Sequence, residues 1–294
     1  MQRESAAPRV SFEDFSPFWR PFALEHAPGL FYAAARILEP RLEFWAVKAD
    51  LTDPALRVIV NGGAGIGGDG SAANSMPSTR VSSFVRDYGA LVGINALPFY
   101  PASASEGEAR VNVGVVVSAG VFIAPPVSGY DALVFRRDGQ AHIVAQADLG
   151  DLSSVENALG GFRIILLDGE IAPRLLSDAG TPQQNLPRHP RTAAGLCADG
   201  KTLYLLVIDG RRPGSVGATE AETGLILQKL GAASGLNFDG GGSSAMAMRF
   251  PDDTVRTVNT PVHGGIPGRE RAVAACLGLG VAENRQISDN IKYR

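Results

Sequence analysis

Residues 191–208 read RTAAGLCADGKTLYLLVI, and this stretch decides the kind of fold that the chain can form. Two apolar runs, 191–197 and 202–208, flank the pair Asp199-Gly200. An Asp-Gly pair between such runs favours the tight turn that joins two antiparallel strands. The stretch therefore predicts a β-hairpin with two largely apolar strands.

Downstream of the hairpin lies the clearest helix signal, residues 219–230. Thr219 and Glu222 have the three-residue spacing of a capping box, in which each side chain binds a free amide of the first turn. Gly231 stands where a helix commonly ends. Predicted strands outnumber predicted helices and do not alternate with them one for one. We therefore predict an α+β fold: a mixed, strand-rich sheet with a few packed helices in a single domain.

The first 40 residues carry closely spaced aromatic side chains, namely Phe12, Phe15, Phe18, Trp19 and Phe22. This pattern predicts a helical arm over residues 1–40 that packs on a main domain over residues 41–294. Within the main domain, residues 78–88 and 153–159 are predicted as short helices.

Composition narrows the class of protein. The 294 residues carry a net charge of -3 without a long run of one sign, which argues against a dedicated nucleic-acid surface. Apolar runs such as 203–208 are far shorter than the roughly 20 residues that span a bilayer, so no membrane span is expected. The N-terminal residues lack the apolar core of a secretion signal, which leaves the compartment open. Cys197 and Cys276 are predicted to be free thiols in strands, with a disulfide between them as the alternative.

The strongest local signal of function is residues 237–244, NFDGGGSS, directly after a predicted strand. Consecutive glycines allow backbone to bend tightly or to approach a ligand closely. Their successive N–H groups can converge into an anion-binding nest. Asp239, at the edge of this turn, is a candidate base, nucleophile or metal ligand. The plainer interpretation is a flexible hairpin loop with a turn-forming aspartate.

Further candidates lie at the ends of predicted strands, where sheets offer ligand sites. Arg191 opens the first hairpin strand, and its planar guanidinium suits phosphate or carboxylate. Asp209 and Arg211 follow the second hairpin strand, and Asn95 ends an earlier apolar run. The plainer interpretations are a surface arginine, a turn with local salt bridges and a hydrogen-bonded core asparagine.

Several catalytic motifs are missing from the sequence, including the GxSxG elbow, HExxH and GxxxxGK[ST]. Residues 63–68, GAGIGG, fit the dinucleotide pattern GxGxxG. That pattern needs a helix to begin there, and the residues that follow are poor helix formers. A mobile glycine-rich loop is the favoured interpretation.

Taken together, these stretches resemble the phosphodiester glycosidase family. The resemblance rests on six segments: 93–95 GIN, 190–195 PRTAAG, 206–211 LVIDGR, 215–219 SVGAT, 237–244 NFDGGGSS and 270–273 ERAV. It covers roughly residues 45–281 in the family's order. The chain departs from the family pattern at residues 96–100, ALPFY, where family members commonly carry a second glycine and aromatics.

The resemblance implies hydrolysis of a sugar 1-phosphodiester at the sugar–oxygen bond, with an N-acetylglucosamine-like sugar, by a phosphodiester glycosidase-like domain over residues 41–294. It makes Asp239 the nucleophile or base, with Asp209 or Glu270 as its partner. The substrate-binding residues that it implies are Asn95, Arg191, Thr192, Arg211, Thr219, Gly240, Gly241, Gly242 and Ser243.

The expected partner is a small-molecule or glycan sugar phosphate. The sequence requires no cofactor, although Asp239, Asp209 and Glu270 would suit a divalent cation such as Ca²⁺ or Mg²⁺. The resemblance favours a location outside the cytoplasm. The alternative function is a non-catalytic module that binds carbohydrate or a polyanion on the same scaffold.

Overall fold

The structure is a computed structural model, and it describes residues 9–11, 14–22, 29–62, 74–183 and 186–282. The glycine-rich segment 63–68 lies outside the described residues. The first eleven strands are β1 (Arg9–Val10), β2 (Arg20–Pro21), β3 (Leu30–Ile37), β4 (Leu42–Asp50), β5 (Leu56–Val60), β6 (Ser75–Pro77), β7 (Ala90–Asn95), β8 (Phe99–Tyr100), β9 (Ala109–Asn112), β10 (Val116–Ser118) and β11 (Val121–Ala124).

The remaining strands are β12 (Asp131–Arg136), β13 (Ala141–Ala145), β14 (Val155–Gly160), β15 (Arg163–Leu167), β16 (Glu170–Ile171), β17 (Arg191–Leu196), β18 (Thr202–Ile208), β19 (Ser234–Asn237), β20 (Met246–Arg249), β21 (Val255–Thr257) and β22 (Cys276–Val281). The helices are α1 (Val81–Asp87) and α2 (Glu220–Leu230). The described residues also form four short 3₁₀ turns: Gln146–Asp148, Pro173–Leu175, Gly241–Ser243 and His263–Gly265.

The predicted hairpin lies inside the largest sheet, which has nine strands. Its order is β1-β3-β4-β18-β17-β19-β15-β16, and β2 pairs with β3. In the hairpin, Arg191 pairs with Ile208 and Leu196 with Leu203. Successive residues of β18 enter different cores. Leu203 and every second residue after it pack on one face of the sheet, whereas Tyr204 and every second residue after it pack on the other face. The continuous apolar run therefore reflects a strand that is buried on both faces.

The sheets and helices form layers. Helix α2 covers one face of the nine-stranded sheet. The other face shares the largest core with two five-stranded sheets, β21-β20-β7-β22-β5 and β11-β10-β14-β12-β13. Helix α1 covers the outer face of the β7-containing sheet. A three-stranded sheet, β6-β9-β8, completes the described strands.

The ends of helix α2 lie where the sequence places them. Thr219 Oγ1 accepts the amide of Glu222, and the Glu222 carboxylate accepts the amide of Thr219, so the predicted capping box is formed. Gly231 closes the helix with a φ of 111°, a conformation that favours glycine. The predicted strand-rich fold with few helices is confirmed.

Three details of the prediction differ from the structure. In place of a helical arm, the described residues before position 40 form β1, β2 and β3, and β3 pairs with β4 along its full length. Phe15 and Phe22 are buried there, and Phe15 packs edge-on against Phe44 of β4. Most of the second predicted short helix, residues 155–159, lies in β14 instead, between β10 and β12. The strands also divide into four sheets where one was predicted.

Two further expectations concern disulfides and membranes. Cys197 and Cys276 are both free thiols, so the alternative disulfide is not formed. In the part of the chain that the structure describes, neither helix has the length and apolar character to cross a membrane.

Candidate active site

Asp239 lies immediately after β19, at the entrance of the glycine turn Gly240–Gly242. Three backbone bonds fix this segment: the amides of Phe238, Asp239 and Gly241 donate to the carbonyls of residues 192, 96 and 190, respectively. Gly241 has a φ of 61°, which favours glycine. A Cβ atom at Gly240 would lie 2.7 Å from the Pro190 carbonyl oxygen, so this close approach also requires glycine.

Asn95 supports the backbone of the glycine turn through hydrogen bonds. Its side-chain amide donates to the Asp239 carbonyl at 2.6 Å, and its side-chain oxygen accepts the Thr192 hydroxyl at 2.7 Å and the Ala245 amide at 3.1 Å. Asn95 and Thr192 are fully buried. Both residues therefore support the backbone of the turn, as the plainer interpretation of Asn95 expects.

A directed chain of hydrogen bonds leads away from the Asp239 carboxylate. Ser243 Oγ donates to Asp239 Oδ2 at 2.5 Å, and Arg271 Nη1 donates to Ser243 Oγ at 3.1 Å. Arg271 Nε donates to His263 Nδ1 at 3.0 Å. Because a guanidinium only donates, the serine hydroxyl hydrogen is free to point at Asp239. The chain thus supplies a donor to a charged aspartate.

Opposing effects act on the pKa of Asp239. Burial raises the pKa of this half-buried carboxyl, while the Ser243 hydrogen bond and the Arg271 charge lower it. Burial lowers the pKa of the Arg271 guanidinium, and the Asp239 charge raises it. Desolvation is the largest of these effects, so the pKa of Asp239 lies above its ordinary value, and the hydroxyl and the cation offset burial only in part.

A second arginine also lies against the glycine turn. A Cβ atom on Gly241 would lie 3.0 Å from Arg211 Nη2, and one on Gly242 would lie 2.6 Å from Arg271 Nη2. Arg211 Nη2 also lies 3.4 Å from His189 Nδ1. Arg211 has a φ of 57°, a left-handed conformation that costs a non-glycine residue about 1 kcal/mol. Two guanidinium groups therefore flank a turn that lacks side chains.

The Asp209 carboxylate is held by partners other than Asp239. This buried carboxylate binds Arg212 Nη2, the Asn259 side-chain amide at 3.0 Å and the Thr260 amide at 3.1 Å. Burial raises the pKa of Asp209, and its hydrogen bonds with Asn259, Arg212 and Thr260 lower it. Asn259 in turn bonds residues 244 and 246, so Asp209 anchors the segment behind the turn.

Glu270 and Thr219 serve helix ends. Glu270 accepts the Ser82 amide at 3.1 Å and the Ser82 hydroxyl at 2.6 Å, in the first turn of α1. Thr219 is buried in the capping box of α2. Both residues satisfy groups that a helix leaves unpaired, and their polar atoms point at protein.

Arg191 faces helix α2, away from the Thr192 side of its strand. Its Nε donates to the Ala218 carbonyl at 3.0 Å, and its Nη1 lies 3.7 Å from Glu220 Oε1. The neighbouring Thr192 faces Asn95, because successive side chains of a strand point to opposite faces. The predicted phosphate-binding role of Arg191 is therefore not supported by its contacts.

Two amides of the predicted nest have partners in the protein. The Gly241 amide donates to the Pro190 carbonyl, and the Gly240 amide bonds the Asp239 carboxylate. The three glycines instead give the two arginines room to lie on the turn. The carboxylates expected to hold a divalent cation have separate partners, and the described residues contain no group of three or more potential metal ligands.

Sequence reasoning missed Arg271, His263 and the contact between Arg211 and His189. Arg271 lies next to Glu270 in one of the segments that carry the family resemblance, but the neighbouring carboxylate was chosen as the candidate. His263 carries no local motif, and it reaches Arg271 through a loop closed by a bond from the His263 amide to the Arg269 carbonyl. Only its three-dimensional position reveals it.

A sequence comparison decides the family. The family model described as phosphodiester glycosidase matches residues 88–280, which include the glycine turn, Arg211 and Arg271. The chain belongs to the phosphodiester glycosidase family. No curated protein matches its sequence.

Solved structures share the fold of this phosphodiester glycosidase family member. One is the catalytic domain of zebrafish N-acetylglucosamine-1-phosphodiester alpha-N-acetylglucosaminidase, auto-inhibited by its pro-peptide: TM-score 0.62, 18% identity, covering 90% of this chain and 88% of that one. Another is a hypothetical protein from Synechocystis: TM-score 0.54, 16% identity, covering 86% of this chain and 62% of that one. At these identities the likeness shows the fold alone.

Proposed function

We propose that the chain hydrolyses a sugar 1-phosphodiester at the sugar–oxygen bond, with Asp239 as nucleophile or as base for water. The observation that carries the proposal is one half-buried carboxylate beside two arginine side chains on a glycine turn. The hydrogen bonds of Arg211 and Arg271 among the described residues go to imidazole and hydroxyl groups. Both cations can therefore accept an anionic ligand.

The chemistry of the leaving group fits this arrangement. Cleavage converts a singly charged phosphodiester into a phosphate monoester, whose second pKa is about 6. Charge therefore builds up on the phosphoryl group during the reaction, and guanidinium groups bind phosphate with charge-assisted hydrogen bonds. A strong general acid is less necessary than in ordinary glycosidases, where the leaving group is an alcohol.

Arg211 and Arg271 take the phosphoryl-binding role in this proposal, and Arg191 supports helix α2. Asp239 attacks or deprotonates from the edge of the turn, where Ser243 and Arg271 favour its charged form. The zebrafish relative is named for an N-acetylglucosamine 1-phosphodiester. A sugar of that type is accordingly the first substrate to test, and divalent-cation dependence is tested alongside it.

The alternative proposal is a module that binds a carbohydrate or polyanion without turnover. The same two arginines support it, since a cationic turn binds anions whether or not chemistry follows. The two functions differ in their demand on Asp239. A carboxylate beside an anion-binding turn weakens anion binding, so it has a clear use only in the enzyme.

The test measures free sugar released from a panel of sugar 1-phosphodiesters and para-nitrophenyl glycosides. We expect turnover of the phosphodiesters by the wild-type chain and its loss in Asp239→Asn, with unchanged thermal unfolding. Exposed Asp252→Asn is the matched control and keeps full activity. A parallel series with EDTA measures dependence on a divalent cation.

Retained turnover in Asp239→Asn would remove Asp239 from the reaction. Saturable binding of a sugar phosphate without release of sugar from any substrate would favour the binding module.

A further inference from the structure

The protonation state of His263 follows from its contact with Arg271. Arg271 Nε–H donates to His263 Nδ1 at 3.0 Å, so Nδ1 carries a lone pair and no proton. The imidazole is then neutral, with its hydrogen on Nε2. A protonated imidazole has donors at both nitrogens and would meet Arg271 with an N–H and a positive charge.

This contact fixes the orientation of the guanidinium group. His263 holds Nε, Ser243 holds Nη1, and Nη2 lies against Gly242. Because the guanidinium is planar, two hydrogen bonds at different nitrogens define the direction of the third. The edge directed at the glycine turn depends on both partners.

We propose that His263 is a positioning residue that, in its neutral form, aims Arg271 at the phosphoryl group of the substrate. The proposal rests on the proposed function of the glycine turn. Protonation of His263 removes the acceptor at Nδ1 and releases the guanidinium from one of its two anchors. At acid pH, substrate cleavage then declines for two reasons. The Arg271 guanidinium loses its fixed orientation, and Asp239 becomes protonated.

The arginines around His263 favour its neutral form. On its own loop, the positive charges of Arg269 and Arg271 oppose a further positive charge on the imidazole. The Asp239 carboxylate, bound through Ser243 on the glycine turn, has the opposite sign and would favour the protonated imidazole. Burial and then the charges of Arg271 and Arg269 lower the pKa of His263 from its ordinary value of 6.5. The anchored arrangement is therefore the one present at neutral pH.

Two substitutions separate positioning from bulk packing. His263→Asn places a side-chain oxygen near the position of Nδ1 and does not titrate, whereas His263→Phe keeps a ring and has no acceptor. We expect His263→Phe to lower kcat/KM for a sugar 1-phosphodiester about tenfold, the usual effect of losing one charge-assisted hydrogen bond. His263→Asn should stay within about threefold of wild type at neutral pH and lose the part of the acid limb that belongs to His263.

His142→Phe, on β13 away from the turn, is the matched control and should resemble wild type. Thermal unfolding of each variant checks the fold. Equal loss in both His263 variants, or an acid limb in His263→Asn that matches wild type, would overturn the proposal. The asparagine variant keeps the test decisive if the phenylalanine variant does not fold.

A binding measurement distinguishes failure of this inference from failure of the proposed function. Inorganic sulfate is a suitable probe by calorimetry, because its charge stays constant over the range in which His263 titrates. We expect sulfate affinity to fall about tenfold in His263→Phe and to be kept in His263→Asn, whether or not the chain turns over any sugar. Equal sulfate affinity in wild type and His263→Phe would contradict the positioning role.

Discussion

Burial raises the pKa of Asp239, and Ser243 and Arg271 oppose that effect by favouring the charged carboxylate. The hydroxyl supplies a hydrogen bond to the carboxylate, and the guanidinium orients that hydroxyl. The environment of this candidate catalytic carboxylate therefore depends on residues that lie four and 32 positions away in the chain.

Ser243→Ala tests this compensation. The serine hydrogen bond favours the charged carboxylate, so its loss raises the pKa of Asp239 further above the ordinary 3.8. When the pH is lowered, a reaction that needs the charged carboxylate therefore begins to fail at a higher pH in the variant than in the wild type. We expect the acid limb of kcat/KM to move up by about one pH unit, equivalent to about 1.4 kcal/mol. An unchanged pH profile would show that Ser243 does not tune Asp239.

Arg271→Ala and Arg191→Ala compare the two arginines directly. Arg271→Ala should reduce kcat/KM for phosphodiesters about 10- to 100-fold and affect para-nitrophenyl glycosides less, because only the former carry a phosphoryl group. Arg191→Ala removes contacts with Ala218 and Glu220 and should act mainly on thermal stability. The reverse ranking in steady-state kinetics would restore Arg191 to the site.

The sequence predicts which residue types could form the site better than it predicts where their side chains point. The run NFDGGGSS predicts a tight glycine turn, which is formed, and it makes Asp239 the candidate for chemistry. Arg191 and Thr192 were both named, but sheet alternation sends them to opposite faces, and the sequence does not say which face holds the site. The side chains of the adjacent residues Glu270 and Arg271 also point to different places. Glu270 binds Ser82 of α1, whereas Arg271 binds Ser243 of the glycine turn.

At the scale of elements, signals that depend on neighbouring residues were reliable. The capping box of α2 and the hairpin β17–β18 form as predicted because their partners lie within a few residues. Segment 153–159 failed because β14 is held by two distant strands, β10 and β12, which outweigh its local pattern.

Glu270→Ala tests the helix-end role of a residue first considered catalytic. The change leaves the Ser82 amide and hydroxyl of α1 without their carboxylate partner, at a cost of about 1 kcal/mol in unfolding free energy. Chemical denaturation measures this loss, with exposed Glu170→Ala as control. Activity of the folded variant should remain near wild type, and a loss comparable to that of Asp239→Asn would return Glu270 to the reaction.

At the scale of the whole molecule, the order of layers comes from pairings that sequence reasoning does not reach. Strand β5 pairs with β22, joining Val60 to Leu277, and β4 pairs with β18, joining Val47 to Leu205. Alternation within one strand indicates how it is buried, but it does not name the partner strand. The single predicted sheet became four for this reason.

Amide hydrogen exchange tests the layered core. Residues 203–207 of β18 are buried on both faces and paired on both edges, so they should exchange only through global unfolding. Amides of the short edge strands β16 and β21 should exchange faster through local opening. Comparable protection of β18 and β21 would contradict the assignment of the central layer.

The bonds of Asn95 link the candidate active site to the completion of folding. Its partners Thr192, Asp239 and Ala245 lie 97, 144 and 150 positions away in the chain. Closing such long loops is slow compared with forming the hairpin or helix α2. During refolding, catalytic competence should therefore be the last property recovered, well after secondary structure, and a partly assembled chain would be harmless to its substrate.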